Sequence, residues 1–264
     1  MTRVVAKKKP NLKLVAPEMV YIPEGHAILG ISDEQVEYLL HTEAWAEEWY
    51  EKDMFMVEQP QHTIFLPAFE IGLHPVTNAD YYIFIWETGY KIPRSWDGFC
   101  YPPETEDHPV VDVSQIDALA YCEWLSQRLG VKYRLPTEAE WERAARGDDD
   151  RIYPWGDFFD PWRCNTIESG RGGTTSVGIF SPSGDSPFGV RDMAGNVLEW
   201  TCSILKPYPY KSNDGRESIG SHEKYVVRGG SWYYSRKLAR CTCREGVIAT
   251  YFSPALGFRL ARSV

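Results

Sequence analysis

The sequence predicts an α+β domain with its helices in the first half and short strands joined by ordered loops in the second. Three observations carry this. Capped helix patterns begin at Ser32, Thr77, Ser114 and Thr137. After Asp148, Gly, Pro, Ser, Asp and Trp interrupt the chain every few residues, so no amphipathic helix period survives. Aromatic residues make up 14%, with ten Trp, which suits a loop-rich fold that uses rings as wedges and contact surfaces.

Residues 1–16 read as a flexible basic arm (Arg3, Lys7, Lys8, Lys9, Lys13), and 17–264 as a single domain. Met19-Val20-Tyr21-Ile22 predicts a strand that ends at Pro23-Glu24-Gly25. Ser32 and Gln35 form a capping-box pattern, and one helix is expected to follow with Val36, Leu39, Leu40, Trp45 and Trp49 on its apolar side. Residues 62–73 predict a strand. Thr77 caps a helix over Asn78 to Glu87, stopped by Gly89, and 91–113 form a Pro- and aromatic-rich loop. Ser114 caps a helix over 115–129, where Ala118, Cys122, Leu125 and Leu129 share one face. Thr137 and Glu140 start a last helix that runs to Arg146 before Gly147.

The net charge is −9, concentrated between Asp33 and Glu58. A solvated helix face explains that cluster, and a basic partner for the acidic helix 33–53 is the alternative. Without a basic excess the chain is not expected to bind nucleic acid. No apolar run reaches membrane-spanning length, and none follows the basic start, so a secretory signal is not expected and a cytoplasmic location is. Cys100, Cys122, Cys164, Cys202, Cys241 and Cys243 make no CxxC pair or zinc spacing, which predicts reduced and mostly buried thiols, with Cys122 in the core.

Several phrases coincide in order: Pro75-Val-Thr-Asn78, Arg134-Leu-Pro-Thr-Glu-Ala-Glu-Trp-Glu-Arg-Ala-Ala-Arg146, Tyr153-Pro-Trp-Gly156, Gly189-Val-Arg-Asp-Met-Ala-Gly-Asn-Val-Leu-Glu-Trp200, Arg228-Gly-Gly-Ser-Trp232 and Gly257-Phe-Arg259. Together they resemble the formylglycine-generating enzyme (sulfatase-modifying factor) family across roughly residues 17–262. The resemblance implies that family's variant of the C-type lectin fold.

The family's enzymes oxidise a substrate cysteine with copper held by two cysteines five residues apart. The matching positions here hold Tyr234 and Ala239. Neither supplies the thiolate that holds Cu(I), so copper and formylglycine-generating chemistry are not expected. Cys241 and Cys243 lie nearby, out of register. If their backbone is extended they share a face, which leaves two readings: a new soft-metal site or two small core residues. The family also resembles iron-dependent sulfoxide synthases, which draw histidines from an added helical domain. The six His of this sequence make no HxxxH-like pair, and His62 and His108 read as scaffold.

The resemblance further implies a structural calcium held by Asp192, the carbonyls of Gly195 and Val197, and Glu199. Carboxylates and carbonyls from an irregular loop are suitable hard ligands. The other reading is that Asn196 and Glu199 only hydrogen-bond the loop. A second calcium position of the family starts at Asn165, but no acidic partner follows in 170–175.

Within the C-terminal segment, Arg228, Gly229, Gly230, Ser231, Trp232, Arg240, Arg244, Gly257, Phe258 and Arg259 read as frame, because Gly permits tight turns and Arg can satisfy carbonyls and carboxylates in fork geometry. The candidate ligand-binding residues are Trp232, Tyr233, Tyr234, Ser235, Cys243, Tyr251 and Phe252. Tyr and Ser supply amphipathic area and adaptable hydrogen bonds, the chemistry of paratopes. The arrangement is also similar to the variable proteins of diversity-generating retroelements. These randomise Asn codons toward residues such as Tyr, Ser, Cys, Phe and Thr, which fits most of 233–256 but not Lys237 or Glu245. The expected function is therefore non-catalytic binding of a protein or small-molecule ligand. A copper- or iron-dependent oxidoreductase acting on a thiol is the alternative.

Overall fold

The computed structural model describes residues 14–220 and 222–264. Most of the predicted arm thus lies outside the described residues, and Leu14 already packs on the main core. Strand β1 (Met19–Ile22) is where the sequence puts it. Strand β2 (Gly25–Leu29) was not foreseen. It pairs antiparallel with β3 (His62–Leu66). The predicted strand over 62–73 is two strands, β3 and β4 (Phe69–Gly72), parted at Pro67, which has no N–H to give a ladder.

Helix α1 (Asp33–Thr42) carries the predicted capping box, with Gln35 N–H donating to Ser32 Oγ at 3.2 Å. It does not continue to Trp49 as expected. Glu43 leaves helical dihedrals (φ −125°, ψ 113°), and a separate helix α2 (Ala46–Glu51) follows. The break turns Trp45 and Trp49 onto Phe55, with ring centroids 6.2 Å from it in each case. A one-piece helix would keep the period but lose that packing.

Helices α3 (Asn78–Thr88), α4 (Gln115–Leu129) and α5 (Glu138–Arg146) each begin with a two-way capping box, from Thr77, Ser114 and Thr137. Each is followed by the glycine that the sequence places there. In the second half come β5 (Leu198–Ile204), β6 (Lys224–Arg228), β7 (Arg244–Ile248), β8 (Leu256–Phe258) and β9 (Ala261–Ser263).

One sheet has the order β7-β6-β5-β8, with β8 parallel to β5. A second, β1-β4-β9, joins the two ends of the described chain, and β2-β3 forms a third. The largest apolar cluster packs α3 and α4 on the four-stranded sheet through Tyr81, Phe84, Tyr121, Trp124, Trp200 and Phe258. Cys122 is buried in it, as predicted. α5 is buried along its whole length, including Glu138, Glu142, Arg143 and Arg146. Buried charges persist only when paired and hydrogen-bonded; Glu138 and Glu142 find their partners in the C-terminal half, while Arg143 and Arg146 bond the carbonyls of Gly25 and Gly30.

Candidate functional site

The frame is held by buried arginines. Arg228, at the end of β6, donates to Glu142 and to the Tyr208 hydroxyl at 2.8 Å each and to Glu138 at 3.3 Å. Its other arm reaches the carbonyls of Cys241, Thr242 and Cys243 at 3.1–3.3 Å. Arg244 and Arg216 share Glu138 at 2.8 and 3.0 Å. Arg240 grips Glu58, and Arg259 grips Glu199. Arg228, Arg240, Arg244 and Arg259 thus act as the frame arginines that the sequence suggests, and Arg216 joins them without a sequence signal. Gly230 (φ +66°) is needed because a Cβ there would sit 2.9 Å from the backbone of Leu238 and Ala239. That close approach folds the segment after β6 back on itself.

On this frame the aromatic residues form a connected surface. Trp232, Tyr233 and Tyr234 meet edge to face in sequence, with centroids 5.5 and 5.4 Å apart. Trp232 Nε1–H donates to Pro254 O at 3.1 Å, tying the start of the surface to its end. Ser235 precedes a 3₁₀ turn over Arg236–Leu238. Tyr233 is 60% exposed and Tyr251 47%, while Tyr234 is half-buried. Burial, then the nearby Glu245, holds the Tyr234 phenol above its ordinary value, and Tyr251 and Tyr233 add to it. Phe252 lies under the Arg94 guanidinium at 4.5 Å. Arg94 comes from the 91–113 loop, and nothing local in the sequence marks it for this contact.

Cys243 is a correction. It is buried in the cluster that holds Trp49, Phe55 and Leu238, and so it lies behind the surface instead of on it. Cys241 belongs to another cluster, with Trp141 and Met193. The chain turns at Cys241 and Thr242 before β7 starts. The two thiols therefore face apart, and the shared-face condition for a soft-metal pair fails. Burial pushes the Cys241 thiol up to about 12 and that of Cys243 higher still.

Of the four positions of the implied calcium site, Asp192, Gly195 and Val197 lie in the loop before β5 and Glu199 in β5 itself, and both carboxylates already accept hydrogen bonds. Glu199 accepts from Arg259 at 2.6 and 2.7 Å and from Trp141 Nε1 at 2.8 Å, which uses both of its oxygens. Arg259 also donates to the carbonyl of Asp192 at 3.3 Å, so a guanidinium is the cation of this loop. Glu199 does not fit a calcium ligand in this arrangement. Asp192 (φ +54°) accepts from Gly178 N–H at 2.6 Å, and burial raises its carboxyl to about 6. Gly195 packs against Asn165, whose carbonyl would stand 2.4 Å from a Cβ there, and Val197 is buried. Asn196 accepts from Thr175 N–H at 3.0 Å and from Asn165 Nδ2 at 3.3 Å, the loop-holding role. Among the described residues no group of three or more His, Cys, Asp or Glu is placed to hold a metal ion. His62 bonds Pro60 O and Tyr210 N, and His108 bonds Thr174, as scaffold residues do.

Not all of the acidic segment is a solvated face. Glu58 is fully buried against Arg240, and Glu43 pairs with Arg236 at 2.7 Å. These acids hold the C-terminal segment from behind. A groove of about 610 Å³ lies at the far end of the surface, between Ile116 and Leu119 of α4 and Ile248 to Thr250, and it ends one residue before Tyr251.

Fold and site together define a C-type-lectin-like scaffold that carries an aromatic C-terminal surface on an arginine-braced frame. The chain belongs to the sulfatase-modifying factor enzyme 1-like domain family, whose model matches residues 4–264. It is similar to hercynine oxygenase of Mycolicibacterium thermoresistibile, 33% identical over 226 residues that cover 71% of this chain and 49% of that protein. It is also similar to the inactive C-alpha-formylglycine-generating enzyme 2 of Bos taurus, 31% identical over 77% of this chain and 80% of the relative. The chain spans about half the length of several relatives it matches. Among solved structures, PvdO from Pseudomonas aeruginosa superposes with a TM-score of 0.77 at 25% identity, over 94% of this chain and 95% of that one. Variable protein 1 of Treponema denticola superposes at 0.72 and 22% identity, over 93% and 95%, which is a likeness of fold. No helix among the described residues is long and apolar enough to cross a membrane.

Proposed function

We propose that this chain is a non-catalytic binding protein that presents Trp232, Tyr233, Tyr234, Ser235, Tyr251 and Phe252 to a protein or small-molecule ligand. One observation carries the reading. The positions that match the family's copper cysteines hold Tyr234 and Ala239, and the nearest thiols, Cys241 and Cys243, are buried in separate clusters. A catalytic cysteine needs an accessible thiolate. The exposed Tyr rings instead offer large, rigid, amphipathic area at low entropic cost. A relative at 31% identity carries the name of an inactive enzyme, in keeping with this reading.

The test is a copper- and iron-loading experiment beside a thiol-oxidation assay with a cysteine-containing peptide. The expected result is no stoichiometric metal held by the cysteines and no oxidised product. Turnover that disappears in Cys241→Ala or Cys243→Ala would establish the oxidoreductase alternative, which the oxygenase name of one relative favours. The variable-protein version of the binding reading has its own check. Sibling copies that differ only within 233–256 support it, and identical siblings exclude it.

A further inference from the structure

A cavity of about 170 Å³ lies between residues 15–18, the turn that joins β4 to α3, Asp80 in the first turn of α3, and Tyr121 of α4. It shares no residue with the aromatic surface. Residues 15–18 form one wall, and the Glu18 carbonyl accepts from Leu73 N–H at 2.9 Å, which pins that wall to the turn.

The polar groups that line this cavity are only partly used. Tyr121 is 3% exposed, yet its hydroxyl makes no hydrogen bond with any described residue. Burial, then the neighbouring Asp80, holds that phenol well above its ordinary value, so it keeps its proton. Asp80 accepts twice from Thr77, at 2.7 and 3.1 Å, and both bonds fall on Oδ2. Its Oδ1 is left over. His74 Nδ1 lies 2.8 Å from the Pro75 carbonyl, which can only accept, so Nδ1 carries the proton and Nε2 of the neutral ring is an acceptor.

The unspent capacity is therefore a carboxylate oxygen, an imidazole nitrogen and a phenol oxygen. Glu18, exposed at the mouth, adds a second negative charge. No Lys or Arg is among the described residues that line the cavity. A divalent metal ion would want six or more oxygen ligands, or several His, Cys or carboxylate groups, and no such group of three exists among the described residues. A primary ammonium wants less. It has one positive charge, three N–H donors and no acceptor. Val15, Pro17 and Val76 supply apolar wall for the carbons behind it.

We propose that this cavity binds the ammonium head of a primary amine through Asp80, His74 and Tyr121. The test titrates methylammonium chloride into the whole protein and follows the melting midpoint and the Tyr121 ring resonances. Potassium chloride and tetramethylammonium chloride at equal ionic strength are the controls. A saturable effect is expected with methylammonium, at least about tenfold tighter than with tetramethylammonium, which has the charge but no N–H. Tyr121→Phe keeps the ring that stacks on Tyr81 and removes a hydroxyl that no protein group needs, so it should fold. It is expected to weaken methylammonium about tenfold. Glu18→Gln at the exposed mouth should weaken it only about threefold, the value of an exposed charge. A nuclear Overhauser contact from the methyl protons to Val15 and the Tyr121 ring would place the ligand in this cavity. Nα-acetyl-lysine amide separates two sources of the same head. Binding at least as tight as methylammonium assigns the site to a lysine side chain of a partner, and exclusion assigns it to a small free amine. An effect that potassium or tetramethylammonium reproduces overturns the proposal. So does an effect that rises linearly without saturating, or one that Tyr121→Phe leaves unchanged.

Discussion

Glu58 and Arg240 face each other through two hydrogen bonds of 2.8 Å, with both side chains withdrawn completely from solvent. Thr242 Oγ1 adds a third bond to the carboxylate at 2.6 Å. The Arg240 guanidinium also lies 5.3 Å from the rings of Trp45 and Phe55. The pair therefore ties the segment after α2 to the middle of the C-terminal frame, directly behind the aromatic surface. Removing one partner of a buried ion pair strands the other charge, at about 3–5 kcal/mol. Glu58→Gln is expected to lose stability in that range by urea unfolding. A loss under about 1 kcal/mol, the value of an exposed pair, would show that solvent reaches the site.

The helix starts were legible because a capping box is local. Ser32 with Gln35, Thr77 with Asp80, Ser114 with Asp117 and Thr137 with Glu140 each need only four consecutive residues. The frame arginines were legible as frame, but their partners were not. Glu58 lies 182 residues before Arg240, and Glu138 lies 90 before Arg228, so no window of sequence pairs them. The same distance hid the break at Glu43. Within the chain it interrupts a good helix period, and its contacts, Trp45 and Trp49 on Phe55 and Glu43 on Arg236, lie outside the window that sets the period. Cys243 was misplaced for a simpler reason. It was grouped with the surface by its place in the Tyr-rich segment, whereas the turn at Cys241 and Thr242 sends it into the core, the other reading the sequence offered for the two thiols.

Glu217 gives a pH prediction with a definite sign. Its carboxylate accepts from Ser203 Oγ at 2.9 Å, from Tyr210 Oη at 2.5 Å and from the Cys202 thiol at 3.3 Å. Burial raises its pKa, with like charge from Glu138 adding to the rise, and those hydrogen bonds only partly oppose it. A carboxyl whose folded value is raised contributes stability below its unfolded value, and loses it as pH rises through the folded one. Glu217→Gln removes that loss. Relative to wild type, the variant is expected to gain stability steadily as pH is raised from below about 4.5 into the neutral range. The difference between the two proteins, read by denaturant unfolding across pH, isolates this group from all other carboxylates. A difference that is flat across pH would mean that Glu217 titrates normally.

The engagement of Glu199 by Arg259 makes a prediction about calcium. With both oxygens of Glu199 already accepting from a guanidinium and an indole, added calcium is left with Asp192, one of whose oxygens already accepts from Gly178 N–H. A ligand that binds only the folded state stabilises it by about 2.7 kcal/mol at a hundred times its Kd. Millimolar calcium at neutral pH is therefore expected to leave the melting midpoint where it stands in EDTA. A saturable rise that is lost in Asp192→Asn would restore the calcium site that the family resemblance implies.

The thiols offer the sharpest check on the non-catalytic reading, because it places them by burial alone. Cys122, Cys164, Cys202, Cys241 and Cys243 are all buried, while Cys100 is exposed in the loop before α4. Burial raises the thiols of Cys122 and Cys164 to about 12, and that of Cys241 likewise. Only thiolate reacts at a useful rate, so raised and buried thiols are inert in the native state. Alkylation by iodoacetamide at neutral pH, followed by peptide mass spectrometry, is expected to modify Cys100 quickly. The other five should react only as fast as the protein unfolds, and modifying Cys100 should leave the aromatic surface intact. A redox role for this segment needs the opposite pattern. Rapid labelling of Cys241 or Cys243 in folded protein would mean that the turn before β7 opens, and that a thiol comes within reach of whatever binds at Tyr234.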